Sequence, residues 1–237
     1  MRIKTASRKR RSGFTSSQQD NGEKQINLNS SDYIFSQTSI VSSVQLERNS
    51  HIITPETSKY VNTNGDTWSN EALKSNYGSF IGAFNYVNHE QIPEKSAGFV
   101  ADAALRKIFI DPEVNSHIYY TDILTATHRD HSSLVRKILS NEIEYLSMGC
   151  DCEISMCSRC GHKLGNDFDL LCDHLEFAKG KYYVDVSGKK RRIAELLGTE
   201  EKGSVTFTEA SWLTEPPAFH GASRRHTLSI GNDNPIL

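Results

Sequence analysis

From residue 31 onward, hydrophobic and polar positions alternate in short runs punctuated by turn residues, the pattern of half-buried strands rather than long helices. SDYIFSQTSIVSSVQLE, opening at Ser31, sets β-branched and aromatic residues between polar ones and predicts one or two strands, and Asn62–Gly65 reads as a turn. GSFIGAFNYVN, from Gly78 to Asn88, is strand-like and delivers His89 at its end. Gly98–Phe109 reads as a strand or short helix, and HIYYTDILTAT from His117 has better strand chemistry. The period then changes: Ser132 and Ser133 can cap a helix over LVRKILSNEI, with Leu134, Val135, Ile138 and Leu139 on its inner face. A strand from Leu146 to Cys152 would turn Ser147, Gly149 and Asp151 to one side and Met148, Cys150 and Cys152 to the other. KYYVDVSG and GSVTFTEASWL predict two more strands, the second stopped by Pro216 and Pro217. Many short strands with about two helices predict a mainly antiparallel barrel or sheet, in the α+β or all-β class.

Charge changes the picture mainly at the ends. The 237 residues suit one domain with flexible ends, and a net charge of -2 argues against wholesale nucleic-acid binding. Met1–Gly13 nevertheless carries Arg2, Lys4, Arg8, Lys9, Arg10 and Arg11 without an acid, and Ser, Asn and Gln dominate the stretch after it. Residues 1–30 are expected to be a disordered basic arm, open to nucleic acid, a scaffold, removal as a leader, or solvent alone. The globular part is expected over 31–222 and a flexible tail over 223–237. Lys189–Arg192 reads as an exposed basic loop. No internal repeat and no membrane-spanning run stands out, so no membrane partner is expected.

The densest chemistry lies in SMGCDCEISMCSRCGHKLGNDFDLLCDHL. Cys157 and Cys160 form a C-x-x-C pair followed by Gly161, which relieves the tight turn as two thiolates grip one ion. Twelve residues after Cys160, Cys172 and His174 complete a three-cysteine, one-histidine tetrahedral set. Cys150 or Cys152 could replace His174, and His162 is a weaker candidate. Four protein ligands leave no open position, so the expected cofactor is a structural zinc stapling a knuckle insert at about 150–176, with none needed for catalysis. Five cysteines is an odd count with no signal peptide ahead of it, which argues against a disulfide framework. A non-enzymatic knuckle that binds nucleic acid or a capsid partner is the alternative, but only Phe168 and Phe177 supply stacking aromatics nearby.

Three stretches in order carry a resemblance: NHEQIPEKSAGFVADAALR, then YYTDILTATHRDHSSLVRKILSNEIEYLSMGC, then FTEASWLTEPPAFHGA. Together they closely resemble the capsid-maturation (prohead) proteases of tailed bacteriophages, which are similar in fold to the herpesvirus assemblins. The resemblance spans roughly Tyr33 to Ala222, and some phage members also carry a cysteine-rich insert after Ser-Met-Gly-Cys. It implies an assemblin-type barrel flanked by a few helices, and a serine endopeptidase that cuts scaffold and major head protein, and its own ends, inside the prohead in the host cytoplasm. Ser147 matches the family's nucleophile and His89 its general base, an imidazole being able to take the serine proton near neutral pH and return it to the leaving amine. Glu209 matches the acidic position of a Glu-x-Ser strand and would orient the ring. Ser211 could add a hydrogen bond; Asp122 and Asp151 are rival acids, and because assemblins use a histidine there, His128 or His174 is conceivable. By the same analogy an arginine such as Arg191 or Arg192 could line the oxyanion hole. Self-association, as in assemblins, and an inactive, internal-scaffold member of the family are further expectations.

Overall fold

A computed structural model describes residues 32–165, 169–219 and 224–229. The basic arm, Phe168 and most of the expected tail lie outside the described residues. The fold is a mixed α+β one, built on a curled, mostly antiparallel sheet of eleven strands with few helices.

The alternating stretch at the start is one long strand, β1 (Tyr33–Val44). After the Asn62–Gly65 turn, closed by Gly65 N–H on Asn62 O at 3.0 Å, comes β2 (Asp66–Ser69), which pairs parallel to β1. Helix α1 (Asn70–Asn76) follows, capped by Ser69 Oγ, which accepts from Ala72 N at 3.1 Å. Seven residues hold too few turns for a helical period to show in the sequence. The strand expected over Gly78–Asn88 is much shorter: Tyr77–Phe80 wind into a 3-10 turn that buries Phe80, and only the four residues of β3 (Phe84–Val87) are extended. β4 (Gly98–Asp111) and β5 (Ser116–His128) form a long antiparallel pair, with β5 against β1 on its other side.

Helix α2 (Ser132–Leu139) is shorter than its pattern suggested, and its N-cap is His131 rather than a serine. Val135 and Ile138 are buried, but Leu139 is 46% exposed. The chain leaves the helix and reverses at Asn141, whose φ is 61°, and thereby brings Ile143 into the core instead. β6 (Tyr145–Cys152) then pairs antiparallel with β12 (Val205–Leu213), which lies parallel to β3 on its other side. Along β6 the expected alternation holds: Leu146 is buried, and Met148, Cys150 and Cys152 pack against the main core of Trp68, Phe80, Phe207 and Trp212. Phe80 stacks on Phe207 with ring centres 4.0 Å apart, and each such ring removed from water contributes about 1.5–3 kcal/mol.

The cysteine-rich segment extends the same sheet. β7 (Ser155–Cys157) and β8 (Lys163–Leu164) form a hairpin, and β7 pairs with β11 (Glu195–Leu197), which continues the order through β2 to β1. The sheet curls enough that Gly198 N–H reaches Ile154 O at 2.8 Å and Cys152 Sγ at 3.0 Å, joining the far end of β6 to the end of β11. Helix α3 (Asp173–Phe177) and a separate ribbon of β9 (Tyr182–Val184) with β10 (Lys190–Arg192) complete this end. The basic run Lys189–Arg192 is therefore largely a strand, not a loop. Arg224–Ser229, in the segment read as a tail, pair with β1 as β13. No helix among the described residues is long and apolar enough to cross a membrane.

Candidate functional site

The register of three neighbouring strands assembles one polar cluster. Antiparallel pairing sets Ser147 of β6 opposite Ser211 of β12, and Gly149 opposite Glu209. Directly opposed residues point to one face of a sheet, so the four positions share the face turned away from the core. Parallel pairing with β3 places Phe84 and Tyr86 beside Glu209 and Ser211. β3 ends at Val87, and Asn88 and His89 follow with φ of 50° and 59°. Two consecutive left-handed residues turn the chain back over the sheet, a conformation that is costly for histidine. Asn88 holds that turn by donating from its N–H to Trp212 O at 2.8 Å.

His89 Nδ1 lies 2.8 Å from Glu209 Oε1, and because a carboxylate only accepts, Nδ1 carries the hydrogen. Gln91 Nε2 donates to the same Oε1 at 2.6 Å, and Ser211 Oγ donates to Oε2 at 2.5 Å. The Glu209 side chain is 1% exposed. Burial pushes its carboxyl pKa up, but the hydrogen bonds from His89, Ser211 and Gln91 outweigh burial and hold it below the ordinary glutamate value. The glycine of Ser-x-Gly is required by space: a Cβ on Gly149 would lie 2.7 Å from Glu209 Oε1 and 2.8 Å from its Cγ. The imidazole is bound to that same oxygen, which lies over Gly149 of β6. Ser147 is half-buried, and its hydroxyl makes no hydrogen bond to His89 or to any other described residue. An open cleft of about 440 Å³ adjoins Glu209 and Gln91, walled by Ile81, Phe84 and Tyr86.

The rival assignments fall elsewhere. Asp122 is held by Arg106 and Ser39, Asp151 is exposed on β6, His128 packs its ring on Tyr33, and His174 belongs to the thiol cluster. Arg191 and Arg192 are structural: Arg191 bonds Glu47, Asp185 and Ile53 O, and Arg192 bonds the carbonyls of Gly180 and Val61. Gln91 is the residue that sequence reasoning missed. Its signal was spacing alone, two residues beyond His89 on the same loop.

The second cluster is the predicted ligand set. Cys157, Cys160, Cys172 and His174 bring one ligand atom each to within 4.8 Å of one another and form a possible metal-binding site. Cys160 and Cys172 sulfurs are 3.6 Å apart, far beyond a disulfide and close to the roughly 3.8 Å expected of two thiolates on one tetrahedral zinc. Gly161, with φ of 72°, closes the knuckle as its N–H donates to Cys157 O at 2.9 Å. His174 Nδ1 is buried without a hydrogen-bond partner, which suits a ligand nitrogen. Burial pushes the Cys157 thiol up to about 12, whereas at Cys172 the Leu175 N–H and the neighbouring thiols outweigh burial and lower it. Cys150 and Cys152 are not in the set: Cys150 packs on the main core and Cys152 bonds Ile154 O. Nor is His162, which bonds Leu170 O. In the chain the set follows β6, on β7, the loop after it and the start of α3.

No family model, curated protein or solved structure matches this chain.

Proposed function

We propose that the protein is a serine endopeptidase with Ser147 as nucleophile, His89 as general base and Glu209 as the acid that orients it. The observation that carries this reading is the buried Glu209 carboxylate, bonded to His89 Nδ1 on the sheet face shared with Ser147. His89 Nε2 takes the Ser147 proton as Oγ bonds to the peptide carbonyl carbon, and Glu209 stabilises the imidazolium that forms. The C–N bond then breaks, the proton passes from Nε2 to the leaving amine, and water repeats the sequence to release the acyl group. The absence of a His89–Ser147 hydrogen bond is compatible with this, since such contacts tighten when substrate arrives.

The substrate class rests on the ordered resemblance to prohead proteases: scaffold and major head protein during phage head maturation, with an assemblin-type barrel as the fold. The ion assigned to the Cys157–His174 set is zinc, for which three thiolates and an imidazole fit both in donor type and in spacing. Four protein ligands leave it no open position, so its role is structural. Co-expression with scaffold and head protein, followed by mass spectrometry of fragment ends, tests the activity. Ser147→Ala should lower cleavage by about 10⁴-fold or more with the fold intact by circular dichroism. Processing at the native rate would remove Ser147 as nucleophile and favour a metal-stapled binding protein.

A further inference from the structure

Six of the thirteen large hydrophobic side chains exposed among the described residues fall between Leu170 and Val186, in the metal-cluster end of the molecule. Three of them belong to the β9–β10 ribbon and its turn: Tyr182 is 49% exposed, Val184 67% and Val186 fully exposed. In this ribbon the bonded pairs are set by Ile193 N–H on Lys181 O and Asp185 N–H on Lys189 O, with Tyr183 opposite Arg191. Antiparallel bonding alternates, so the N–H and C=O groups of Tyr182 and Val184 point away from β10. The outward N–H of Arg192, on the β10 side, is taken by Ser58 Oγ at 3.3 Å. On the β9 side no described residue bonds Tyr182 or Val184. Among the described residues, β9 is an open strand edge beside an apolar face.

The same face is cationic. Val184 opposes Lys190 and Tyr182 opposes Arg192, and Lys190 Nζ reaches 4.4 Å from the Tyr182 ring centre, which delivers its charge to the β9 side. The one acid of the ribbon, Asp185, is neutralised from the other face by Arg191, its Oδ2 lying 2.5 Å from Nε. We propose that the β9 edge docks an extended segment of a partner protein that carries apolar and acidic side chains on one face. Main-chain hydrogen bonds to Tyr182 and Val184 would supply affinity, the apolar side chains would cover Tyr182 and Val184, and carboxylates would meet Lys190. Other occupants fit less well. A nucleic-acid strand would find one stacking ring and two valines, a second copy would bring Lys190 towards Lys190, and the basic arm at Met1–Gly13 has the same sign as the surface.

The test uses the full chain carrying Ser147→Ala, so that no probe is cut, and fluorescence anisotropy of a labelled eight-residue peptide in which threonine alternates with valine and glutamate in turn. Saturable binding is expected, at least about tenfold weaker when lysine replaces glutamate. Val184→Pro, which deletes an outward N–H and leaves the ribbon's own bonds, and Lys190→Glu, which keeps the backbone, should each weaken binding about tenfold. The proposal is overturned if the glutamate peptide does not bind, if the lysine form or a twelve-residue thymidine oligonucleotide binds as tightly, or if both variants bind as the parent does. Sedimentation that showed self-association abolished by Val184→Pro would also overturn it, because the occupant would be a second copy.

Discussion

Two polar clusters, one on the register of β6 with β12 and one on the segment that follows β6, are completed by different means. At Glu209 every demand is met by the chain: Oε1 accepts from His89 and Gln91, Oε2 from Ser211, and strand register fixes the positions. At Cys157 the demand is left open, for His174 Nδ1 is buried without a partner and three sulfurs converge with no cation from the protein among them. A cluster satisfied internally is pre-organised by folding, whereas a cluster of unsatisfied donors ties its folding to an ion. The first arrangement suits a site that must hold geometry before substrate arrives, and the second suits a staple.

The strongest way to break that contrast is to remove the ion. Chelation, or Cys157→Ser, should lower stability by about 3 kcal/mol or more at the metal-cluster end, with one zinc per chain detected in the parent by elemental mass spectrometry and none after treatment. Hydrogen exchange should report the loss at β7, β8 and α3 before β6 and β12. An unchanged melting curve together with no detectable metal would erase the difference between the two clusters.

Glu209→Gln comes next. It presents an amide where three donors converge and should cost about 2–3 kcal/mol near neutral pH and about 10²–10⁴-fold in cleavage. Because the Glu209 carboxyl is held below its unfolded value, its contribution to stability is present above that value and disappears as pH falls through the folded one. The parent should therefore lose stability in acid more steeply than the Gln variant, which denaturant melts across that range would read.

How far each cluster could be read from the sequence depends on how local its determinants are. Cys157, Cys160, Cys172 and His174 fall within eighteen consecutive residues, so spacing alone named the set and the fold only selected His174 over Cys150 and Cys152. Glu209 and His89 are 120 positions apart and meet only because β12 runs parallel to β3, a pairing that no local pattern encodes. The alternation that placed Ser147 and Gly149 on one face of β6 was legible, since a strand has period two whatever its neighbours. Leu139 shows the converse: its place on the helix was legible, but the reversal at Asn141 that let Ile143 replace it inside was not. Arg191 had the look of an exposed basic loop and is buried because Glu47, distant in sequence, and Asp185 neutralise it.

Gly149→Ala tests whether the Glu209 end is as rigid as its hydrogen bonds imply. A Cβ there meets the tip of Glu209, which in a mobile side chain would cost little, but this carboxylate is pinned by three donors. The substitution should cost about 1–3 kcal/mol and depress cleavage through a displaced His89, both read on the same purified variant. A neutral outcome would mean that Glu209 relocates freely and that the cluster is no more pre-organised than the thiols.

The smallest effect is expected from Gln91→Ala, and it sharpens the comparison most finely. Gln91 and His89 share one acceptor, so removing the amide leaves Oε1 still bonded to the imidazole, and the exposed Gln91 position gains access to water. No buried group is orphaned, which keeps the cost under about 1 kcal/mol by thermal melting. Orientation should suffer more than stability: with one donor gone the carboxylate can rotate away from His89 Nδ1, and kcat should fall several-fold with KM little changed. A full loss of folding on Gln91→Ala would show that the loop from Asn88 depends on this single bond. The Glu209 cluster would then be conditional on one contact and no longer internally secured.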